Sequence, residues 1–371
     1  MARRIHANNQ RNPMRFNNFR AYRRIICSAG FINAIRATRR NVLAAERGEV
    51  PPHGPYMAEL DITYRCNCRC QMCQRWQDPR RGELSLEEYR RLAATLDRMG
   101  AHQVSVAGGE PLVRKDVFDI IKAFSSRGMS VNLCTNGLLL DRLHEAVCES
   151  APTCVTVSLD GAMAESHDRI RGRQGAYARA EKGVLAILRH PRRRRPIIRV
   201  RMTVNALNQG EIGAFYRRWK DVADDVLLQP VHDCGDTYYR VNGDAAGSID
   251  PEIVAAQTMG TPWARDGYVG RWITAMRQGE AFPWQTCYAG VMMGRIDPWG
   301  NLYPCLEQHV RIGSIRETPF EDLWCGPAFA TERERLAKRR TCRCWYNNTG
   351  VIGHYGRILK TTGFMRNGSK P

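Results

Sequence analysis

The sequence predicts an α/β protein organised around a parallel sheet, and three observations lead there. Between residues 57 and 231, short apolar runs alternate with longer segments of helical periodicity. Apolar residues make up 43% of the 371-residue chain, enough for a substantial buried core. No apolar run reaches the roughly 18 residues of a spanning helix, so the chain is expected to be soluble or peripheral. Six strands alternating with helices give either an open doubly wound sheet or a curved, incomplete barrel. In both, ligand-binding residues fall in the loops after the C-terminal ends of the strands.

In chain order, residues 1–50 form a basic segment with eleven Arg against two acids, Glu46 and Glu49. Phe19, Tyr22, Ile25, Ile26, Ile32 and Ile35 recur at roughly helical spacing among those arginines. Such a helix either meets an anionic membrane surface through residues 1–45 or packs its apolar stripe on the main domain. The second reading is preferred. Asn33 and Arg36 interrupt the stretch and no good cleavage site follows, so a secretory signal fits poorly and the expected location is cytoplasmic. Pro51, Pro52, Gly54 and Pro55 mark a break before the main domain, residues 51–240.

Strands are expected at Met57–Thr63, Gln103–Ala107, Ser130–Thr135, Cys154–Leu159, Ile197–Val204 and Val226–Val231. Helices are expected at Leu86–Met99, Val117–Arg127 and Ala178–Leu188, the first opened by Ser85 ahead of Glu87 and Glu88. Four consecutive Arg between Pro191 and Pro196 read as a solvated loop. Residues 241–285 read as a connecting region with a helix over Asp266–Arg277. After Trp284, short strand-like pieces with Gly, Pro and Cys indicate a small metal-stapled domain, residues 286–350, and a basic tail, 351–371.

Lys and Arg total 56 against 37 Asp and Glu, a formal net charge of +19. That field favours an anionic partner, although arginines scattered over solvated faces are the simpler account. No recognised RNA- or DNA-binding motif is present, which sets aside a nucleic-acid-binding protein with structural clusters. The fourteen cysteines are clustered in a long chain, so they read as metal or cluster ligands rather than as a disulfide scaffold.

Cys66, Cys70 and Cys73 form C-x3-C-x2-C directly after the first strand. Three thiolates can bind three irons of a [4Fe–4S] cube and leave the fourth open to a small chelating molecule. Zinc is the alternative, with Cys68 as its fourth ligand. The second strand ends in Ala107-Gly108-Gly109-Glu110-Pro111, where glycines let backbone approach a ligand and a carboxylate can accept from an ammonium group.

Together these two motifs, over about Ala58–Val231, resemble the radical S-adenosylmethionine (SAM) superfamily. The resemblance implies a partial (β/α)6 TIM-like barrel. It implies that Cys66, Cys70 and Cys73 ligate a catalytic [4Fe–4S] cluster whose free iron chelates S-adenosyl-L-methionine. Met72 matches the position whose backbone approaches adenine, and Gly108, Gly109 and Glu110 the motif that binds the methionine amine. Ser158 and Asn205 are expected cofactor contacts, with Asp160 and Asn136 as weaker candidates. The implied chemistry is reductive cleavage of the sulfonium to a 5′-deoxyadenosyl radical that abstracts hydrogen from substrate. It needs an electron donor such as a flavodoxin or ferredoxin.

Cys287, Cys305 in a Gly300-x4-Cys hairpin, and the Cys342/Cys344 pair resemble the C-terminal auxiliary-cluster domains called SPASM and twitch. Four ligands for a second [4Fe–4S] cluster are implied, with Cys325 as an alternative to one of the closing pair and Cys234 unplaced. Cys27, Cys134, Cys148 and Cys154 sit in apolar contexts and read as inert core thiols. A cluster with four protein ligands has no open iron, so electron transfer from a substrate radical is its expected task. That favours an oxidoreductase acting on a carbohydrate-like or other small metabolite. A ribosomally made peptide is the second reading, and a redox-neutral epimerisation or a lipid-linked substrate the third. Asp233, His232, Tyr238, Tyr239 and Arg240 follow the sixth strand and are expected at the mouth of the site.

Overall fold

In a computed structural model, the structure describes residues 29–191, 195–232, 238, 240–265, 267–279, 287–306 and 310–338. The strands are β1 (Met57–Thr63), β2 (Gln103–Gly108), β3 (Ser130–Thr135), β4 (Cys154–Ser158), β5 (Ile197–Val204) and β6 (Asp225–Pro230), within a residue of expectation at each end. Every neighbouring pair among them is parallel, in the consecutive order β6-β5-β4-β3-β2-β1. That order decides between the two architectures. Right-handed crossovers that always step the same way put every helix on one face, so the sheet curls around the other. A doubly wound sheet would reverse its order partway; this one does not.

The curl explains why the strands carry polar residues although both faces are covered. In β1, Ala58, Leu60 and Ile62 join the main hydrophobic core, while the intervening Glu59, Asp61 and Thr63 are equally buried. In β5, Ile198, Val200, Met202 and Val204 are core, and Arg199, Arg201 and Thr203 line a cavity. Strand alternation here separates core from lumen rather than core from solvent.

The helices are α1 (Ala29–Glu46), α2 (Leu86–Arg98), α3 (Val117–Ser125), α4 (Leu140–Glu149), α5 (Ala164–Arg171), α6 (Ala176–Arg189) and α7 (Ile212–Trp219). The expected start of α2 is a capping box. The Ser85 hydroxyl accepts from Glu88 N (3.3 Å) and the Glu88 carboxylate from Ser85 N (2.7 Å). The connecting region adds α8 (Pro251–Thr258) and α9 (Gly267–Gln278), the latter close to the expected 266–277. The arginine loop differs from expectation at Arg195. Its side chain is buried against Asp224, which also accepts from Ile198 N, so this arginine anchors the entry to β5 instead of being solvated.

The small C-terminal unit is part of the same sheet. β7 (Met293–Ile296) pairs in parallel with β1, from Met57↔Met293 to Leu60↔Ile296. β8 (Asn301–Tyr303) and β9 (Gly313–Ser314) then extend the sheet in antiparallel fashion. α10 (Phe320–Cys325) and α11 (Pro327–Lys338) cover it. A second core joins α1, this hairpin and α11 through Val42, Met57, Tyr288, Met292, Met293, Leu306 and Leu336. The described part of the N-terminal helix therefore packs on the protein, through Ile35, Val42 and Ala45, while Ile32 stays exposed. Residues 1–28, including the first half of the expected stripe, lie outside the described residues. No described helix is long and apolar enough to cross a membrane.

Asn41 fastens α1 in place. Buried, it donates to the carbonyls of His53 (3.1 Å) and Gly54 (2.9 Å) and accepts from His53 N (3.0 Å). Replacing Asn41 with Ala leaves those backbone groups unpaired and is expected to cost about 2 kcal/mol of stability, read as a lowered denaturation midpoint with unchanged far-UV circular dichroism.

Candidate active site

The cysteine loop leaves the C-terminal end of β1 and is held from three sides. Its middle lies along the end of α5, with Arg69 N bonded to Arg171 O (3.0 Å) and Gln71 N to Ile170 O (2.9 Å). On the far side Asn242 N bonds to Gln71 O (2.7 Å). The root of the loop is stitched to the end of β2, where Gly109 N donates to Thr63 O (2.7 Å) and Glu110 N to Arg65 O (2.9 Å). Gly108, at φ 133°, permits that approach, because a Cβ there would collide with Thr63 O. The glycines thus serve the root of the loop as well as the cavity that they line.

Cys66, Cys70, Cys73 and Cys68 all line one cavity, together with Met72, Gly108, Gly109, Asn136 and Ser158. Hydrogen bonding from the Cys68 thiol, with the Arg171 guanidinium beside it, brings Cys70 down to about 7, whereas burial pushes Cys73 up to about 11. The Cys66 thiol is lowered chiefly by the Cys68 hydrogen bond. A ready thiolate beside a fixed cation, in a cavity walled by glycine backbone, suits a thiolate-ligated cluster and an adjacent ligand with amine and carboxylate groups.

Arg171 was not singled out from the sequence. It stands between Asp160 (Nη2–Oδ2, 2.6 Å) and Cys70 Sγ (3.7 Å), on the cavity wall. Asp160 is fully buried behind it, with Oδ1 accepting from Thr203 N (2.8 Å) and its own N–H donating to His167 Nδ1 (3.0 Å). Burial, with Arg171 nearby, holds His167 neutral at about 3, so its ring can accept that bond. The signal in the sequence was Arg171-Gly172 closing a helix. Gly172 is left-handed (φ 59°) and a Cβ on it would strike Arg69 O.

Two of the expected cofactor contacts, Glu110 and Asn205, are not on the cavity wall. Glu110 is fully buried behind the cavity wall. Its carboxylate accepts from Thr135 Oγ1 (2.7 Å), Asn136 N (2.7 Å) and Leu112 N (3.1 Å), and burial holds its pKa above the usual carboxylate range. It ties the ends of β2 and β3 together. Asn205 is also buried off the cavity, where its side chain shapes a turn by donating to Thr203 O and accepting from Leu207 N. Asn136, a weaker candidate, is on the cavity wall, where its amide donates to Asn67 Oδ1 (2.7 Å) in the cysteine loop and its Oδ1 accepts from Leu138 N (3.0 Å) in a turn. Cys134 likewise lines the cavity instead of sitting inert in the core, whereas Cys148 and Cys154 are buried.

Of the residues after β6, His232 lines the cavity. Tyr238 instead bonds Asp78 (2.6 Å) and packs on Tyr64, and Arg240 is exposed. Asp233 and Tyr239 lie outside the described residues, as do Cys27, Cys234, Cys342 and Cys344. Cys287 and Cys305 share the second core, and Leu306, next to Cys305, reaches the wall of the cysteine cavity. Cys325 is exposed at the end of α10.

A curled parallel sheet with a thiol-rich, cation-balanced cavity at its C-terminal mouth defines an iron–sulfur enzyme of the α/β barrel type. The family model of the radical SAM superfamily matches residues 60–217, and that of an iron-sulfur cluster-binding domain, SPASM, matches residues 287–345. The chain belongs to the radical SAM superfamily and carries a SPASM-type cluster domain at its C-terminal side. Its cofactors are accordingly a [4Fe–4S] cluster, S-adenosylmethionine and an auxiliary iron–sulfur cluster. The chain is 26% identical to an AdoMet-dependent heme synthase of Methanosarcina barkeri over 292 residues, 73% of this chain and 82% of that one. It is 28% identical over 333 residues to AlbA, the antilisterial bacteriocin subtilosin biosynthesis protein of Bacillus subtilis, covering 86% of this chain and 70% of that one. Among solved structures, Streptococcus suis SuiB bound to S-adenosylmethionine superposes with a TM-score of 0.62 at 14% identity, over 85% of this chain and 76% of that one. That likeness is one of fold.

Substituting Gly172 with Ala should undock the cysteine loop from α5 without disturbing the sheet. The expected result is reconstituted protein with less than half the wild-type iron at the catalytic site, measured by iron and sulfide content and the 400 nm absorbance, with far-UV circular dichroism retained.

Proposed function

We propose that this enzyme carries out a net oxidation of its substrate, with the auxiliary cluster as the electron acceptor. The single observation that carries this reading is Leu306. This residue lines the same cavity as Cys66, Cys70 and Cys73, while its neighbour Cys305 belongs to the auxiliary set. On this reading the auxiliary cluster, held by Cys287 and Cys305 in the second core and completed by Cys342 and Cys344, would take its electron from that side of the cavity.

In this reading Cys66, Cys70 and Cys73 hold the catalytic cluster, and Arg171, fixed by Asp160, balances its charge. Bound S-adenosylmethionine supplies the hydrogen-abstracting radical when the cluster is reduced. The chain's own part is positioning. Gly108 and Gly109 present backbone to the cofactor, and Glu110 acts from behind by fixing Asn136. Met72, Ser158 and Asn136 form the cofactor's walls; Asn205 supports the turn after β5. The curl of the sheet shields the cavity from water.

The relatives named above bear on the substrate. One is a heme synthase and the other a bacteriocin biosynthesis protein, so neither supports a carbohydrate-like substrate. We favour a peptide, because the match to the bacteriocin biosynthesis protein AlbA extends over 86% of this chain, against 73% for the heme synthase.

The test separates radical formation from electron removal. Cys305→Ala is expected to keep reductive cleavage of S-adenosylmethionine within about threefold of wild type while product falls at least tenfold. Cys70→Ala should abolish both. Substrate and product are compared by mass spectrometry, and a product of unchanged mass would overturn the oxidative reading.

A further inference from the structure

The lumen extends well beyond the cysteine loop, and its far wall has a chemistry that the cofactor does not account for. The residues assigned to cluster and cofactor sit on the loops after β1, β2 and β3 and at the end of β4. β5 and β6 lie at the other end of the parallel run. There Arg199, Arg201 and Thr203 of β5 and Leu227 and Gln229 of β6 face the same cavity. In the register of the two strands Arg201 opposes Leu227, and Thr203 opposes Gln229. Arg201 and Gln229 are thus diagonal neighbours on one face, near enough to share a small ligand group.

The wall's arginines are engaged within the protein, and what marks this pair out is Gln229. Arg75, Arg171 and Arg199 are each bound to a carboxylate: Asp61 (3.0 Å), Asp160 (2.6 Å) and Asp225 (3.0 Å). Those arginines hold the barrel together. Gln229 is 5% exposed, and its Oε1 has no hydrogen-bond partner among the described residues. A buried amide oxygen without a donor destabilises the fold. A ligand that supplies the donor removes that cost. Arg201 has an interaction of its own within the protein. The inference therefore rests on its place beside Gln229 and not on a free guanidinium.

We propose that Arg201 and Gln229 form the substrate-reading end of the cavity, and that they take a carboxylate with an N–H or O–H donor close by. A guanidinium offers only donors, in a planar fork that matches a carboxylate. The Gln229 oxygen offers only an acceptor. A group complementary to both must accept at one end and donate at the other. A peptide with an acidic side chain or a free C-terminus meets that demand, and so does a carboxylated macrocycle with ring N–H groups. This rests on the radical SAM reading of the cavity and is independent of whether the reaction is an oxidation.

The test is a binding measurement on the reconstituted, oxidised holoenzyme with S-adenosylmethionine present, where no turnover occurs. Two pairs of probes distinguish the sources: protoporphyrin IX against its dimethyl ester, and a short glutamate-containing peptide against its glutamine analogue. Binding is read by fluorescence or equilibrium dialysis. In wild type, at least one acid should bind ten times more tightly than its neutral counterpart. Arg201→Gln should remove that preference by weakening the acid alone. Arg201→Lys, which keeps the charge but not the fork, should retain part of it. Gln229→Leu should weaken acid and neutral probes alike. Iron content and S-adenosylmethionine affinity should stay at wild-type levels in all three variants. The proposal is overturned if wild type binds neither acid or shows no preference for it. It is equally overturned if Arg201→Gln keeps the preference, or if the loss in Arg201→Gln is of S-adenosylmethionine instead.

Discussion

Asp61 is the point on which the site depends. Its carboxylate sits in the lumen face of β1 at 1% side-chain exposure, 3.0 Å from Arg75 and 3.8 Å from Arg295, and also accepts from the Tyr64 hydroxyl (3.3 Å). Arg75 follows the cysteine triplet and also donates to Gly108 O (3.1 Å), so one side chain joins the loop to the glycine motif. Arg295 comes from β7, opposite Glu59, and brings in the C-terminal hairpin. Charges this deep persist only when paired, and losing one partner strands the others at a cost of about 3–5 kcal/mol. The network therefore gives specificity of arrangement: loop, glycine motif and hairpin take one geometry together or none.

The curled sheet explains the rest of the chemistry. Because every crossover from β1 to β6 steps the same way, each of these strands turns one face to the helices and the other to a lumen. Val, Ile and Leu fill the first face. The second collects Glu59, Ser105, Asn132, Thr156, Arg199, Arg201 and Gln229, polar groups buried deeply enough for their interactions to be strong. The cofactor motifs occupy the strand ends at one side of this space, and the substrate side is set by what the strand middles offer.

Much of this was legible in the sequence. Strand positions followed from apolar runs bounded by turn residues, and the Ser85 cap from its acidic neighbours. The cysteine triplet and Gly108-Gly109 pointed to the cavity that they line, because their chemistry depends on spacing along a few residues. What spacing could not reveal was the direction of each side chain. Glu110 and Asn205 lie a residue or two past strand ends, where a small twist decides between cavity and interior. Glu110 turned inward because Thr135 and Asn136 on the next strand offered donors. Arg171 was missed for the converse reason: its partners, Asp160 and Cys70, are distant in sequence. The expected border near residue 286 was compositional, and composition does not report that β7 pairs with β1.

That pairing bears on how the protein is made. β1 emerges from the ribosome early, yet one of its two neighbours in the sheet arrives only with Met293–Ile296. Throughout most of synthesis the strand at the root of the catalytic loop is an open edge, the kind of surface that recruits other chains. Its Glu59 and Asp61, the acids that later bind the lumen together, guard it meanwhile: an edge that presents carboxylates is a poor template for aggregation.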